Sequence, residues 1–331
     1  MRKIFTLLFV GLAAFSASAQ QVVKTFPSAK QSKSGAPLLA APAQTPSSID
    51  DKALGTKIFA TQLMDESKLR SWLYFYDKNP YNLNRLNIFD NEQGWQLNGI
   101  LLGTWGGDNY YCYYGKMNNL DNQMQWRGFK SFRTLDVNTG QLSEPIWDMS
   151  LEAAAAKDGL VVFDYGSGSE FNNLLDMTYD PSSDLLYTSE AYQKDANTDA
   201  VTILYTIDKT TGKLNKANVI EDQIQYFCFD IDGNMWAISP YWKETGKDDK
   251  GNPVFTFSGN YLTEYDSNFE PVDGMRFVLK DQYKNNIFAT SYGSMSFNHS
   301  TGELYFTTRV ATDATSMPYD KLMKIDTTNG K

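Results

Sequence analysis

The chain has 331 residues, 42% of them hydrophobic and 14% aromatic, with 30 basic against 39 acidic side chains and a net charge of −9. That length holds one large all-β domain or two smaller ones, and the acidity excludes a phosphate-backbone binder, which needs a basic footprint. One His and two Cys cannot supply a His-rich metal centre, a four-cysteine zinc site or a disulfide scaffold.

Met1-Arg2-Lys3 is a short cationic head, Ile4 to Phe15 an apolar run, and Ser16-Ala17-Ser18-Ala19 a small-residue exit. That order predicts a signal peptide over 1–19, cleaved before Gln20. A dozen apolar residues fall short of the ~20 that span a bilayer, and no Cys stands at the cleavage point for a lipid anchor. The chain is therefore expected to be exported, to the periplasm, cell surface or exterior, without an integral membrane span. From Gln20 to Gly55 the composition turns to Gln, Ser, Ala, Lys and Pro, with Pro27, Pro37, Pro42 and Pro46. Such a segment buries too little apolar area to offset its ordering entropy, so 20–55 is expected to be a flexible leader.

The body, 56–331, repeats one pattern: an alternating apolar strand that closes on Asp before a turn. It appears at Leu86–Asp90, Phe132–Asp136, Leu204–Asp208, Tyr261–Asp266 and Leu322–Asp326, with the closing Asp residues 46, 72, 58 and 60 positions apart. Three copies run on into Gly140, Gly212 and Gly330. Alternation puts one strand face inward, Asp accepts local backbone hydrogen bonds, and Gly supplies the positive φ of a tight reversal. Between the second and third copies, Ser150 to Lys157 is the one helix-like stretch, with Ser150 as cap, four Ala and a following Gly159. A second hairpin precedes the first in the later units. Leu175–Pro181 turns into Leu185–Tyr187, Tyr226–Asp230 into Met235–Ile238, and Ser294–Asn298 into Leu304–Phe306. Lys243 to Pro253, rich in Lys, Asp and Gly, is expected to be a loop between strands.

Two hairpins per unit make four antiparallel strands, and four-stranded units at this period are the sign of a β-propeller. The pairing of Tyr179-Asp180-Pro181 with Ile207-Asp208-Lys209-Thr210-Thr211-Gly212-Lys213-Leu214 resembles blades of YncE-like and quinoprotein-like β-propellers. More narrowly it is similar to exported propeller proteins of Bacteroidota. The resemblance spans 56–331 and implies an all-β propeller with about five blades visible, but no cofactor site that transfers residue by residue. The chain stops within the last unit's second turn, so an incomplete final blade is expected, with further C-terminal blades or a sorting domain in the intact protein.

His299 lies in the turn Phe297–Gly302 and is expected to be exposed; no nucleophile elbow accompanies it. Cys112 and Cys228 sit in aromatic strands of different units and are expected to be buried free thiols. Asp136, Asp208, Asp266 and Asp326 occupy equivalent positions and are assigned to scaffold turns. Asp195-Ala196-Asn197-Thr198-Asp199 has the alternating oxygens of a calcium loop but lacks its Gly and Glu, and Asp230–Gly233 reads as a hairpin turn; no metal or cofactor is expected. What remains is loop-borne aromatics: Trp105 in Gly103–Gly107, and Tyr241-Trp242 after Pro240. Flat rings beside polar groups suit a sugar or a protein partner. The expected function is non-catalytic binding of a protein or carbohydrate ligand through the loop face, with no nucleic acid. The alternative is a propeller enzyme, a polysaccharide hydrolase or lyase using carboxylates or Tyr.

Overall fold

The computed structural model describes residues 55–63, 70–89, 96–120, 124–148, 174–192, 201–310 and 319–330. The segments expected to be a signal peptide and a leader, up to 54, the Ser150–Lys157 stretch and Asp195–Asp199 lie outside the described residues. Among those described there is no helix.

Among the described residues the strands form five sheets. β1 (Lys57–Leu63), β2 (Arg70–Tyr76) and β3 (Asn79–Phe89) form a three-stranded sheet. β4 (Gln96–Trp105), β5 (Tyr110–Leu120), β6 (Met124–Leu135) and β7 (Trp147–Asp148) form a four-stranded one. So do β8 (Leu174–Asp180), β9 (Leu185–Tyr192), β10 (Val201–Ile207) and β11 (Leu214–Ile220). The next four are β12 (Tyr226–Phe229), β13 (Met235–Lys247), β14 (Pro253–Tyr265) and β15 (Pro271–Val278). The last sheet has β16 (Ala289–Asn298), β17 (Glu303–Val310) and β18 (Tyr319–Ile325), with β18 beside β17. Each sheet is a meander in chain order, with antiparallel ladders such as β9–β10 and β17–β18.

The described residues divide into two units, one of 55–103 with 109–148, the other of 104–108 with 174–330. In the first, Trp72, Phe89, Ile100, Cys112 and Leu135 form the core. The Trp72 ring stacks on Phe59 at 5.8 Å and meets Tyr110 edge-on at 4.9 Å, while its Nε1 donates to the Val137 carbonyl (3.1 Å). A buried indole thus has its one polar atom satisfied. Asn87 Nδ2 donates to the Gly140 carbonyl (2.6 Å), and a Cβ on Gly140 would meet Asn87 Cβ at 2.6 Å. Glycine is needed there for close approach as well as for its φ of 71°.

In the β12–β15 sheet burial falls from the first strand to the last. All four residues of β12 are buried, whereas β15 reads mostly exposed or half-buried. β12 lies beside β8 and β16, the first strands of the neighbouring sheets. A short unbroken apolar run, Tyr-Phe-Cys-Phe, is what a strand buried on both faces requires. Phe227, Phe229 and Met235 pack with Tyr187, Leu204 and Ile220 on one side, and Tyr226, Cys228 and Trp236 with Met295, Leu304 and Phe306 on the other. Polar ties cross the same boundaries. The Phe227 amide donates to Asp176 (3.2 Å), Tyr265 Oη donates to Asp222 (2.5 Å), and Arg276 pairs with Asp222. Asn260, fully buried, donates to Gln225 (2.9 Å) and accepts from the Ala289 amide (2.8 Å).

Lys243 to Pro253 is not a loop as expected. β13 and β14 stay paired out to Lys247 and Pro253, and only 248–252 turn. The ribbon runs past β12, which pairs only with Met235–Ile238. Its side chains from Lys243 to Val254 are mostly exposed, so no apolar alternation marks it as strand.

Candidate functional site

The recurring Asp residues build the turns, in two forms. At Asp136, Asp208 and Asp326 the amide of the glycine four residues on donates to the Asp carbonyl (2.7, 2.8 and 2.8 Å). The Asp carboxylate also accepts an amide two residues on (2.8, 2.7 and 2.9 Å). Asn298 repeats this with Gly302, and the Asp180 carboxylate likewise accepts the Ser182 amide (2.8 Å), with Asp184 at the positive-φ position (58°). Asp266 departs from the equivalence expected of it. It shares a shorter turn with Asp230, Asp248 and Asp281, in which its amide donates to the carbonyl four residues on (2.9 Å). Positive φ then falls three residues on, at Phe269, Gly233, Gly251 and Lys284. Hydrogen bonds from Thr210 hold the Asp208 carboxyl below its usual range, and the Glu270 and Asn268 amides do so for Asp266. These carboxylates are charged and engaged.

Trp105 ends β4 and is 48% exposed. Its loop is held by a knot that sequence alone did not single out, because its members are far apart in the chain. Lys209 Nζ donates to the Gly106 carbonyl (2.8 Å) and pairs with Asp184 (2.5 Å), which also accepts from Tyr179 Oη (2.9 Å). Lys209 Nζ stands 5.0 Å from the Tyr179 ring centroid. Burial, the Asp184 hydrogen bond and the charges of Asp184, Asp108 and Asp180 push the Tyr179 phenol up to about 12. Lys209, in turn, holds Asp184 below the ordinary carboxylate range.

Tyr241 and Trp242 do not form one platform. Adjacent strand residues point to opposite faces, and the ladder shifts register between them, Tyr241 opposing Gly259 and Trp242 opposing Phe257. Tyr241 meets Tyr261 at 4.7 Å, and Arg276 lies 5.4 Å from the Tyr261 ring. Trp242 meets Phe257 at 5.4 Å, and Phe257 meets Phe288 at 5.6 Å. Both are half-buried. Nor do they join Trp105. They lie toward the far end of β13 from the β12–β13 turn, whereas Trp105 borders the β4–β5 turn.

His299 is half-buried rather than exposed: its Nε2 lies 2.9 Å from the Phe229 carbonyl, tying the β16–β17 turn to β12. The partner is 70 residues away, which turn chemistry cannot reveal. Cys112 and Cys228 are free and buried. Burial pushes Cys112 up to about 12, against Arg133, and burial with the nearby Asp176 and Asp230 raises Cys228 well above its usual value.

One carboxyl stands apart. Glu190 in β9 is 1% exposed; Oε2 accepts from Tyr205 Oη (3.1 Å) and Oε1 has no partner. Burial raises it to about 7, against the Tyr205 hydrogen bond. Among the described residues no group of three or more His, Cys, Asp or Glu is arranged to hold a metal ion, and no helix is long and apolar enough to cross a membrane.

No family model and no curated protein matches the chain. Among solved structures it is similar to the tricorn protease at 10% identity and TM-score 0.32, over 83% of this chain and 30% of that one. An auxiliary nutrient binding protein from Bacteroides ovatus aligns at 8% identity and TM-score 0.29, over 82% and 69%. A eukaryotic initiation factor aligns at 10% and 0.25, over 82% and 85%. The chain thus spans about a third of the tricorn protease's length. At such TM-scores the function has to be argued from this chain's own residues.

Proposed function

We propose that the chain is an exported, non-catalytic β-propeller that binds a protein or glycan through aromatic side chains on its turns and hairpins. Export is favoured by the cationic head, apolar run and Ala-x-Ala exit of 1–19. Successive four-stranded meanders with side-by-side first strands support blades. The observation that carries the binding role is Trp105, an indole about half exposed on a loop fixed by Lys209. Holding a large ring in water has no folding benefit, and a fixed one loses little entropy on binding.

The experiment is a glycan array and surface-exposed-protein capture with the secreted full-length chain, beside an activity screen on polysaccharides. Retained ligand without turnover is expected; turnover of any polysaccharide overturns the non-catalytic role. The alternative, a polysaccharide hydrolase or lyase, has Glu190 in its favour, since a raised carboxyl suits a general acid. The burial that raises it also bars a polymer from reaching it. Were the alternative right, Glu190→Gln would abolish the turnover seen in that screen.

A further inference from the structure

Three turns of the second unit touch in a row. Gly107 of the Trp105 loop lies against Tyr179, a Cβ there meeting Oη at 2.6 Å. Gly233 of the β12–β13 turn lies against Ser182 of the β8–β9 turn. Along this rim stand Trp105 at 48%, Leu185 at 40% and Ile231 at 57% exposure, one in each turn or in the strand residue next to it. Isolated exposed apolar residues are ordinary, but three on adjoining turns make a patch.

The charges around the patch have one sign. Asp108, Asp180, Asp184, Asp230 and Asp232 occupy the same turns, and the cation reaching in, Lys209, is committed to Asp184 and the Gly106 carbonyl. The negative field is felt by neighbouring groups: the charges of Asp184, Asp108 and Asp180 add to the burial that raises Tyr179, and Asp230 adds to the burial that raises Glu264. The β13–β14 ribbon differs, because Lys243, Lys247 and Lys250 alternate there with Glu244, Asp248 and Asp249.

From the apolar row and its acidic frame we infer that this turn rim docks a basic protein segment in which Lys or Arg side chains alternate with apolar ones. The apolar side chains seat on Trp105, Leu185 and Ile231, and the cations face the rim carboxylates; complementary charge also speeds encounter. Uncharged glycans gain nothing from such a frame. This rests on the proposed binding role and narrows its partner.

The test titrates full-length protein with three synthetic ten-residue peptides of alternating Lys/Leu, Lys/Ser and Glu/Leu. Lys/Leu is expected to bind most tightly, and Trp105→Ala and Ile231→Ser each to weaken it about tenfold. Tyr241→Ala and Trp242→Ala are expected to leave it unchanged. Both rim residues are exposed, and an unaltered melting temperature confirms folding; Ile231→Ser alone suffices if Trp105→Ala misfolds. Equal affinity for Lys/Leu and Lys/Ser, insensitivity to both rim variants, or loss on the hairpin variants overturns the rim. Glycan binding that depends on Tyr241 or Trp242, without peptide binding, overturns the rim yet keeps the wider role. Polysaccharide turnover with neither ligand bound overturns both.

Discussion

Lys284 has φ 68° in a turn whose relatives place Gly233 and Gly251 at the same point. A side chain there is strained by contact with its own backbone, and Lys284 is exposed, with no packing to offset it. Lys284→Gly is therefore expected to stabilise the fold by about 0.5–1 kcal/mol in urea unfolding. Phe269 has the same strain (64°), but its ring meets Tyr187 at 6.0 Å and Phe229 at 6.3 Å, so Phe269→Gly should destabilise. Glu190 links stability to pH. Its folded pKa of about 7 lies above the ordinary 4.5, so the folded state holds the proton more tightly. Its contribution is lost as pH rises from about 4.5 through 7. Glu190→Gln is expected to flatten that slope and to stabilise the protein by about 2 kcal/mol at pH 8, with little change at pH 4. Calorimetry across that range checks it; a variant that melts lower at pH 8 contradicts it. At this scale the turns were legible, because Asp and Gly act on backbone within five residues. His299, Lys209 and Glu190 were not, since each is defined by partners brought near by folding.

Among the elements, the strands that sequence exposed best are those buried on one or both faces, such as β10 and β12, where apolar side chains mark the period. The β13–β14 ribbon was missed because both its faces are largely wet, leaving Lys, Asp and Gly with no alternation to read. Its outer half is expected to be dispensable. Replacing 245–254 by a two-residue Asn-Gly turn, which keeps Glu244 opposite Phe255, should keep the melting temperature within a few degrees, since little apolar area is lost. Asn260, deeper in the same strand, is the opposite case. Asn260→Ala removes the donor to Gln225 and orphans the buried Ala289 amide, at an expected cost of about 2–3 kcal/mol in urea unfolding. The aromatic pair chosen from sequence was split for a similar reason: proximity in a strand means opposite faces.

In the whole molecule each unit has one buried cysteine in its core, Cys112 in the first and Cys228 in the second. Both thiols are held protonated by burial, so native protein at pH 8 is expected to resist a maleimide that labels it fully in urea. Single variants Cys112→Ser and Cys228→Ser then time the opening of each unit separately. Labelling of either thiol as fast as a free one would contradict their burial.

Among the described residues β18 stands at the edge of its sheet. An unpaired strand edge is a template on which other chains polymerise, and proteins guard such edges with lysine. Lys321 and Lys324 stand on β18, the latter exposed and paired with Glu303. Lysines on an edge strand disfavour its pairing with a strand of another chain.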